Sequence, residues 1–110
     1  MYSVNYAFPN YDDVLPMLKG FEDVSYKNDS CPSIHKELSK DVYLILYCDY
    51  KDNERRECPN GFRYQLALDM PMILCGSKFL LMSDDIMEIK HFIDNHTIDD
   101  FIRMKDIFLD

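Results

Sequence analysis

The sequence predicts an α+β domain, with a central antiparallel β-meander of three to four strands and C-terminal helices packed on one face. In the middle of the chain, short apolar runs alternate with polar turns, as in strands joined by hairpins. In the last third, apolar residues recur at helical spacing behind residues that cap helices. At 110 residues we expect a single compact domain, spanning residues 1–110, with one core.

The central strand is predicted at residues 41–50, DVYLILYCDY. Its β-branched and aromatic residues favour an extended backbone. Seven of the eight residues 42–49 are apolar or aromatic, so both faces of the strand look covered, which is typical of the middle of a sheet. Alternation places Val42, Leu44, Leu46 and Cys48 on one face and Tyr43, Ile45, Tyr47 and Asp49 on the other.

The N-terminal part predicts a short strand and then a helix. Apolar and aromatic residues at even spacing favour a strand over residues 1–8. Asn10 is a suitable cap for a helix over residues 11–18, and Gly20 suits its end. Pro16 falls beyond the first turn of that helix and should shorten or kink it.

The remaining β pattern lies on either side of the central strand. Turn-forming residues predict a loop over 28–33, and a polar stretch over 51–61 predicts a long hairpin loop. The predicted flanking strands are residues 21–27 (weakly alternating), 62–70 and 78–82, whereas residues 34–38 fit either a strand or an irregular segment.

The C-terminal third predicts two helices. Ser83 is a good N-cap for an amphipathic helix that runs to about Asn95. Thr97 caps the second helix, with Asp100 at the capping-box position. The apolar side of the second helix extends over residues 98–108.

The net charge of −8 opposes binding to nucleic-acid phosphates or anionic membranes and favours a basic protein surface as partner. The acidic residues form clusters, three of which begin predicted helices, where the helix dipole offers an alternative explanation for them. The functional interpretation is that these clusters form a negatively charged surface that docks on a basic groove of a partner. The predicted partner-binding residues are Asp12, Asp13, Glu22, Asp23, Asp84, Asp85, Glu88, Asp99 and Asp100.

Catalytic and metal sites have weak support. One alternative is a Cys/His enzyme with Cys31 and His35 at its site, although Cys31 does not sit at a predicted helix start that would favour a thiolate. The same two residues are the only close pair of zinc ligands in the sequence, whereas a structural zinc site typically uses two such pairs. A metal-dependent hydrolase would need clustered carboxylates, for which the candidates at strand ends are Asp49, Asp52, Glu57 and Asp69. A third alternative is an assembly subunit that pairs through exposed tyrosines, Tyr2, Tyr6 and Tyr11.

Our prediction is a small, acidic, non-enzymatic protein-binding protein without a cofactor. Its sharpest form is an inhibitor of a nucleic-acid-handling enzyme, of the phage or mobile-element type that includes anti-CRISPR and other anti-defence proteins. The N-terminus lacks the basic and apolar regions of a signal peptide, and the chain has no run of eighteen apolar residues. We therefore expect a soluble, cytoplasmic protein with four cysteines that are free thiols.

Overall fold

A computed structural model of the chain describes residues 3–56, 61–70 and 77–104. Its centre is a five-stranded antiparallel sheet whose strands lie in sequence order, so the predicted meander is confirmed with one strand more than the upper limit of four. The strands are β1 (Glu22–Asp23), β2 (Ser33–Ser39), β3 (Val42–Cys48), β4 (Tyr64–Asp69) and β5 (Ser77–Ser83). The helices are α1 (Val4–Ala7), α2 (Ile86–Asp94) and α3 (Ile98–Arg103), with a 3₁₀ turn at Asn53–Arg55.

Strand β3 is the middle strand, as the sequence predicts, and pairs with β2 and β4. One of its faces is fully buried, and the cross-strand partners Ile34, Leu46 and Leu66 all have no exposed surface there. The prediction that both faces are covered is confirmed in full for this face and in part for the second, where Tyr43, Ile45 and Tyr47 are partly buried. The helices contribute core residues to the first face of β3 alone. The second face is therefore covered only in part, by side chains of the neighbouring strands β2 and β4.

Helices α2 and α3 pack on the buried face, which confirms the predicted arrangement. Ile89 of α2 and Phe101 of α3 are buried in the same core as β3 and β4. The predicted capping box at the start of α3 is also confirmed: Thr97 accepts a hydrogen bond from the Asp100 backbone N–H, and the Asp100 carboxylate accepts one from the Thr97 N–H.

The predicted cap of α2 is wrong by two residues. The N-cap is Asp85, whose carboxylate accepts a hydrogen bond from the Met87 N–H at 2.9 Å. Ser83 instead ends β5, where its hydroxyl accepts a hydrogen bond from the Asp85 N–H and donates one to the Glu88 carboxylate. The serine therefore supports the turn into the helix, and the aspartate takes the capping position.

The N-terminal predictions are wrong. Residues 4–7 form one helical turn instead of a strand, and the aspartate side chain of β1, Asp23, accepts a hydrogen bond from the Val4 N–H at 2.8 Å. Residues 11–18 contain no helix. Asp12 there accepts hydrogen bonds from backbone N–H groups of residues 51 and 52 rather than capping its own segment. Pro16 also opposes a helix because it supplies no backbone N–H.

The other loop predictions have mixed outcomes. Only Glu22–Asp23 of the weak 21–27 pattern pairs as a strand, whereas the loop over 28–33 is confirmed as far as Pro32. Strands β3 and β4 pair across the predicted hairpin from Tyr43↔Asp69 to Cys48↔Tyr64. Several predicted features lie outside the described residues, namely positions 1–2, Glu57 and Cys58, the turn region 71–76 with Cys75, and the helix end 105–110.

We expect truncation of the central core to destabilise the protein strongly. Leu66 has no exposed surface, so Leu66→Ala should lower the free energy of unfolding by about 2–5 kcal/mol through lost burial and a residual cavity. Val14→Ala is the control because Val14 is 81% exposed, and it should change that free energy by less than about 0.5 kcal/mol. Urea denaturation of the three proteins measures both effects. Equal losses for the two variants would contradict a core centred on β3 and β4.

Candidate functional site

The sheet has a second face, opposite to the helices, which we call the open face. It consists of the strand residues that alternate with the core residues, and the register arranges them in three cross-strand rows. The rows are Glu22–His35–Ile45–Ala67–Phe79, Glu37–Tyr43–Asp69–Ser77 and Ser33–Tyr47–Gln65–Met82.

The centre of the open face is aromatic and aliphatic. His35 stacks on Tyr43 with ring centroids 4.8 Å apart, and Tyr47 lies 6.3 Å from Phe79. Phe79 is 48% exposed, and Met82 on the same strand is 43% exposed. Large apolar side chains that lie together and remain exposed are typical of a surface that binds another molecule.

The charged residues of the open face are acidic. Glu22, Glu37 and Asp69 occupy three positions of the rows, and the rows contain neither Lys nor Arg. The Asp29 carboxylate lies near enough to Tyr47 to act on its titration: burial raises the pKa of Tyr47, and the charge of Asp29 raises it further. The open face is therefore apolar at its centre and negatively charged around it.

A cavity of about 290 Å³ lies at the end of the open face where β3 ends and β4 begins. Two of its residues are buried, Cys31 and Asp49, and the Asp49 carboxylate accepts a hydrogen bond from the Tyr50 N–H at 2.8 Å. The main side chains that line the cavity are Cys31, Tyr47, Asp49, Phe62, Gln65 and Phe79.

Behind this cavity, Arg63 joins the N-terminal segment to the hairpin. Its guanidinium donates hydrogen bonds to the Asp13 carboxylate at 2.8 Å, to the Tyr11 hydroxyl at 3.4 Å and to the Asp49 backbone carbonyl at 3.3 Å. The hydrogen bond from Arg63 is the main reason that the pKa of Asp13 lies below its usual value. The Arg63 backbone N–H donates in turn to Asp84 at 2.8 Å.

Three of the predicted partner-binding residues therefore lie around arginines of the same molecule. Asp13 and Asp84 contact Arg63, and Asp84 also lies 3.7 Å from Arg56. Asp12 accepts the backbone N–H groups of residues 51 and 52 at 2.8 and 2.7 Å. Burial acts most strongly and raises the pKa of Asp12, but these two hydrogen bonds, one from its own backbone and the charge of Arg55 together lower the pKa below its usual value.

The other predicted partner-binding residues lie in three further places. Glu22 and Asp23 are at the edge strand β1, Asp85 and Glu88 begin α2, and Asp99 and Asp100 begin α3. The helix-dipole explanation holds for α2 and α3 but is wrong for Asp12 and Asp13, since no helix follows them. Their use in binding a partner stays a prediction.

The alternative chemistry also has defined positions in the structure. Cys31 of the predicted Cys31–His35 pair is buried in the cavity wall. At the separate residue Cys48, burial raises the pKa of the thiol and the nearby Cys31 raises it further, which disfavours a thiolate at Cys48. His35 of the Cys31–His35 pair lies against Tyr43 and 3.7 Å from Glu22. Within residues 3–56, 61–70 and 77–104, no three His, Cys, Asp or Glu side chains converge as a set of metal ligands.

The remaining candidates are dispersed. Asp49 lines the cavity and Asp69 lies in the open face, whereas Asp52 caps the 3₁₀ turn by accepting the Glu54 N–H. Of the predicted assembly tyrosines, Tyr6 is exposed, but the Tyr11 hydroxyl donates to the Asp49 carbonyl and its ring packs against Tyr50.

No family model, curated protein or solved structure matches this chain. The helices in the described part of the chain are too short or too polar to cross a membrane.

Sequence reasoning missed the open face as a binding surface. Tyr47 and Phe79 are far apart in the chain, and only the pairing of β3, β4 and β5 brings them together. A signal does exist, because the alternate positions of all five strands carry aromatic and acidic residues without a Lys or Arg. Recognising it requires the register of the strands.

We expect the Asp13–Arg63 pair to make stability depend on acid. Because the pKa of Asp13 is lowered in the folded state, its contribution is present above the unfolded pKa and is lost as the pH falls through the folded value. The free energy of unfolding should therefore decrease below about pH 5, and Asp13→Asn should make this decrease shallower. Urea denaturation of both proteins at a series of pH values measures this decrease.

The matched control for this prediction is Asp29→Asn, which removes the same charge from an exposed turn. Its pH profile should follow that of the unmodified protein. A profile for Asp13→Asn that is as steep as the control's would show that the contact with Arg63 does not contribute to acid sensitivity.

Proposed function

We propose that this chain is a non-enzymatic protein-binding protein that docks its open face on a basic protein surface. The observation that carries the proposal is the composition of that face, where exposed Phe79 and Met82 lie beside half-buried tyrosines. All the full charges in its rows are negative, apart from a histidine that gains charge only on protonation.

The two parts of the face have different roles in this proposal. Aromatic side chains at the centre of an interface supply most of the binding energy, because they bury large apolar areas with few rotatable bonds. The carboxylates around them select partners by charge and accelerate the encounter. The association should therefore weaken, but not vanish, as salt screens the charges.

The partner that we propose is a nucleic-acid-handling enzyme, which this protein inhibits in the cytoplasm in the manner of anti-CRISPR and other anti-defence proteins of phages and mobile elements. The support is the net charge of −8 on a chain of 110 residues. A groove that binds phosphates is basic and attracts such a molecule, whereas nucleic acid itself and anionic membranes repel it.

A pull-down from lysate of the host cell at about 50 mM and about 300 mM salt tests the proposal, because the Debye length falls below about 10 Å over this range. We expect a basic nucleic-acid-binding protein that is retained at low salt and reduced at high salt. Phe79→Arg should lower the captured amount at least tenfold, since it places a positive charge at the apolar centre of the face.

Met87→Arg is the matched control, because Met87 is an exposed methionine on α2, away from the open face. It should leave capture unchanged. Capture that survives Phe79→Arg but is lost in Asp99→Asn/Asp100→Asn would assign binding to the start of α3 instead. If no basic protein is captured at either salt concentration, the proposal is wrong.

A further inference from the structure

We infer that the cavity at the end of the open face receives one arginine side chain of the partner. This inference rests on the proposed function and specifies its chemistry. A single side chain fits this cavity, because its volume of about 290 Å³ lies at the lower limit of small-molecule sites, which begin at about 300 Å³.

The walls of the cavity fit a flat cation. The rings of Tyr47 and Phe79 stand 6.3 Å apart at an angle of 50°, and Phe62, which is 48% exposed, also lines the cavity. The negative face of an aromatic ring attracts a cation, most strongly where water is excluded. The Gln65 side chain, which also lines the cavity, offers a carbonyl oxygen that accepts hydrogen bonds.

A buried carboxylate makes the cavity selective for positive charge. Asp49 is only 8% exposed and lines the wall, so a cation that enters there is shielded from water while it approaches the carboxylate. Two guanidinium groups lie beside the cavity. That of Arg63 contacts the Asp49 backbone carbonyl, and that of Arg56 donates to the backbone carbonyl of the lining residue Gly61 at 3.0 Å. Asp13 lies 2.8 Å from Arg63 and Asp84 lies 3.7 Å from Arg56, so both positive charges are offset by carboxylates outside the cavity wall.

Arginine fits these groups better than lysine does. Its guanidinium is planar, so it can stack on Tyr47 or Phe79 while its fork of N–H groups donates to the Asp49 carboxylate. A lysine ammonium is more strongly hydrated and has no flat surface to stack. The partner should therefore present an arginine at the centre of the contact, with its other basic residues near Glu37 and Asp69.

Titration of the full chain with N-acetyl-arginine amide, followed by ¹H–¹⁵N NMR at low salt, tests this inference. We expect shifts at Tyr47, Asp49, Gln65 and Phe79, with binding at least fivefold tighter than for N-acetyl-lysine amide. N-acetyl-citrulline amide has a similar flat end group without the charge and should bind at least tenfold more weakly.

Variants of the cavity should weaken binding of the arginine probe. Asp49→Asn removes the charge and keeps an oxygen for the Tyr50 N–H, and Phe79→Leu removes a ring from a half-exposed site where folding is not at risk. Each should weaken binding at least fivefold. The control is Asp94→Asn, which changes the net charge equally on the exposed side of α2, and it should have no effect.

The outcomes separate this inference from the proposed function. If a basic protein is captured through the open face but the arginine probe causes no shifts, or binds no better than the citrulline probe, the arginine pocket is wrong and the docking face stands. If the arginine probe binds but no protein is captured, the cavity recognises a guanidinium group and its assignment to a protein partner is wrong.

Discussion

The packing of β3 against β4 on the buried face is the constraint on which the rest of the structure depends. Leu44 and Leu46 pair in register with Leu68 and Leu66, and all four side chains are excluded from water. A shift of one residue in this pairing would turn each of these leucines to the opposite face. The cost of exposing them fixes the register, and with it the three rows of the open face.

The same constraint determines where the acidic residues act. Once β3 and β4 pair, the connection between them presents backbone N–H groups and three arginines, Arg55, Arg56 and Arg63. The N-terminal segment contacts these N–H groups and the side chains of Arg55 and Arg63. Asp12 and Asp13 then accept hydrogen bonds from residues that lie about forty to fifty positions later in the chain. Part of the negative charge is thus neutralised within the molecule, and the carboxylates of the open face contribute to the field that a partner meets.

The sequence predicts the meander and the two C-terminal helices because their signals are local. Alternation in residues 42–48 and the Thr97–Asp100 capping box need no information from the rest of the chain. The N-terminal predictions fail for the opposite reason: the hydrogen-bond partners of Asp12 and Asp23 are distant groups that no local pattern reveals. The cavity is equally invisible in the sequence, since it combines Cys31, Asp49 and Phe79 from separate strands and loops.

The two faces of β3 differ in burial, and this difference links the fold to the proposed function. A strand needs only one buried face to belong to the core, and Val42, Leu44 and Leu46 supply it. On the other face, where solvated positions commonly carry polar residues, Tyr43, Ile45 and Tyr47 are only partly buried. Their presence beside exposed Phe79 leaves apolar area that a partner can bury, and the surrounding carboxylates define the charge of that partner.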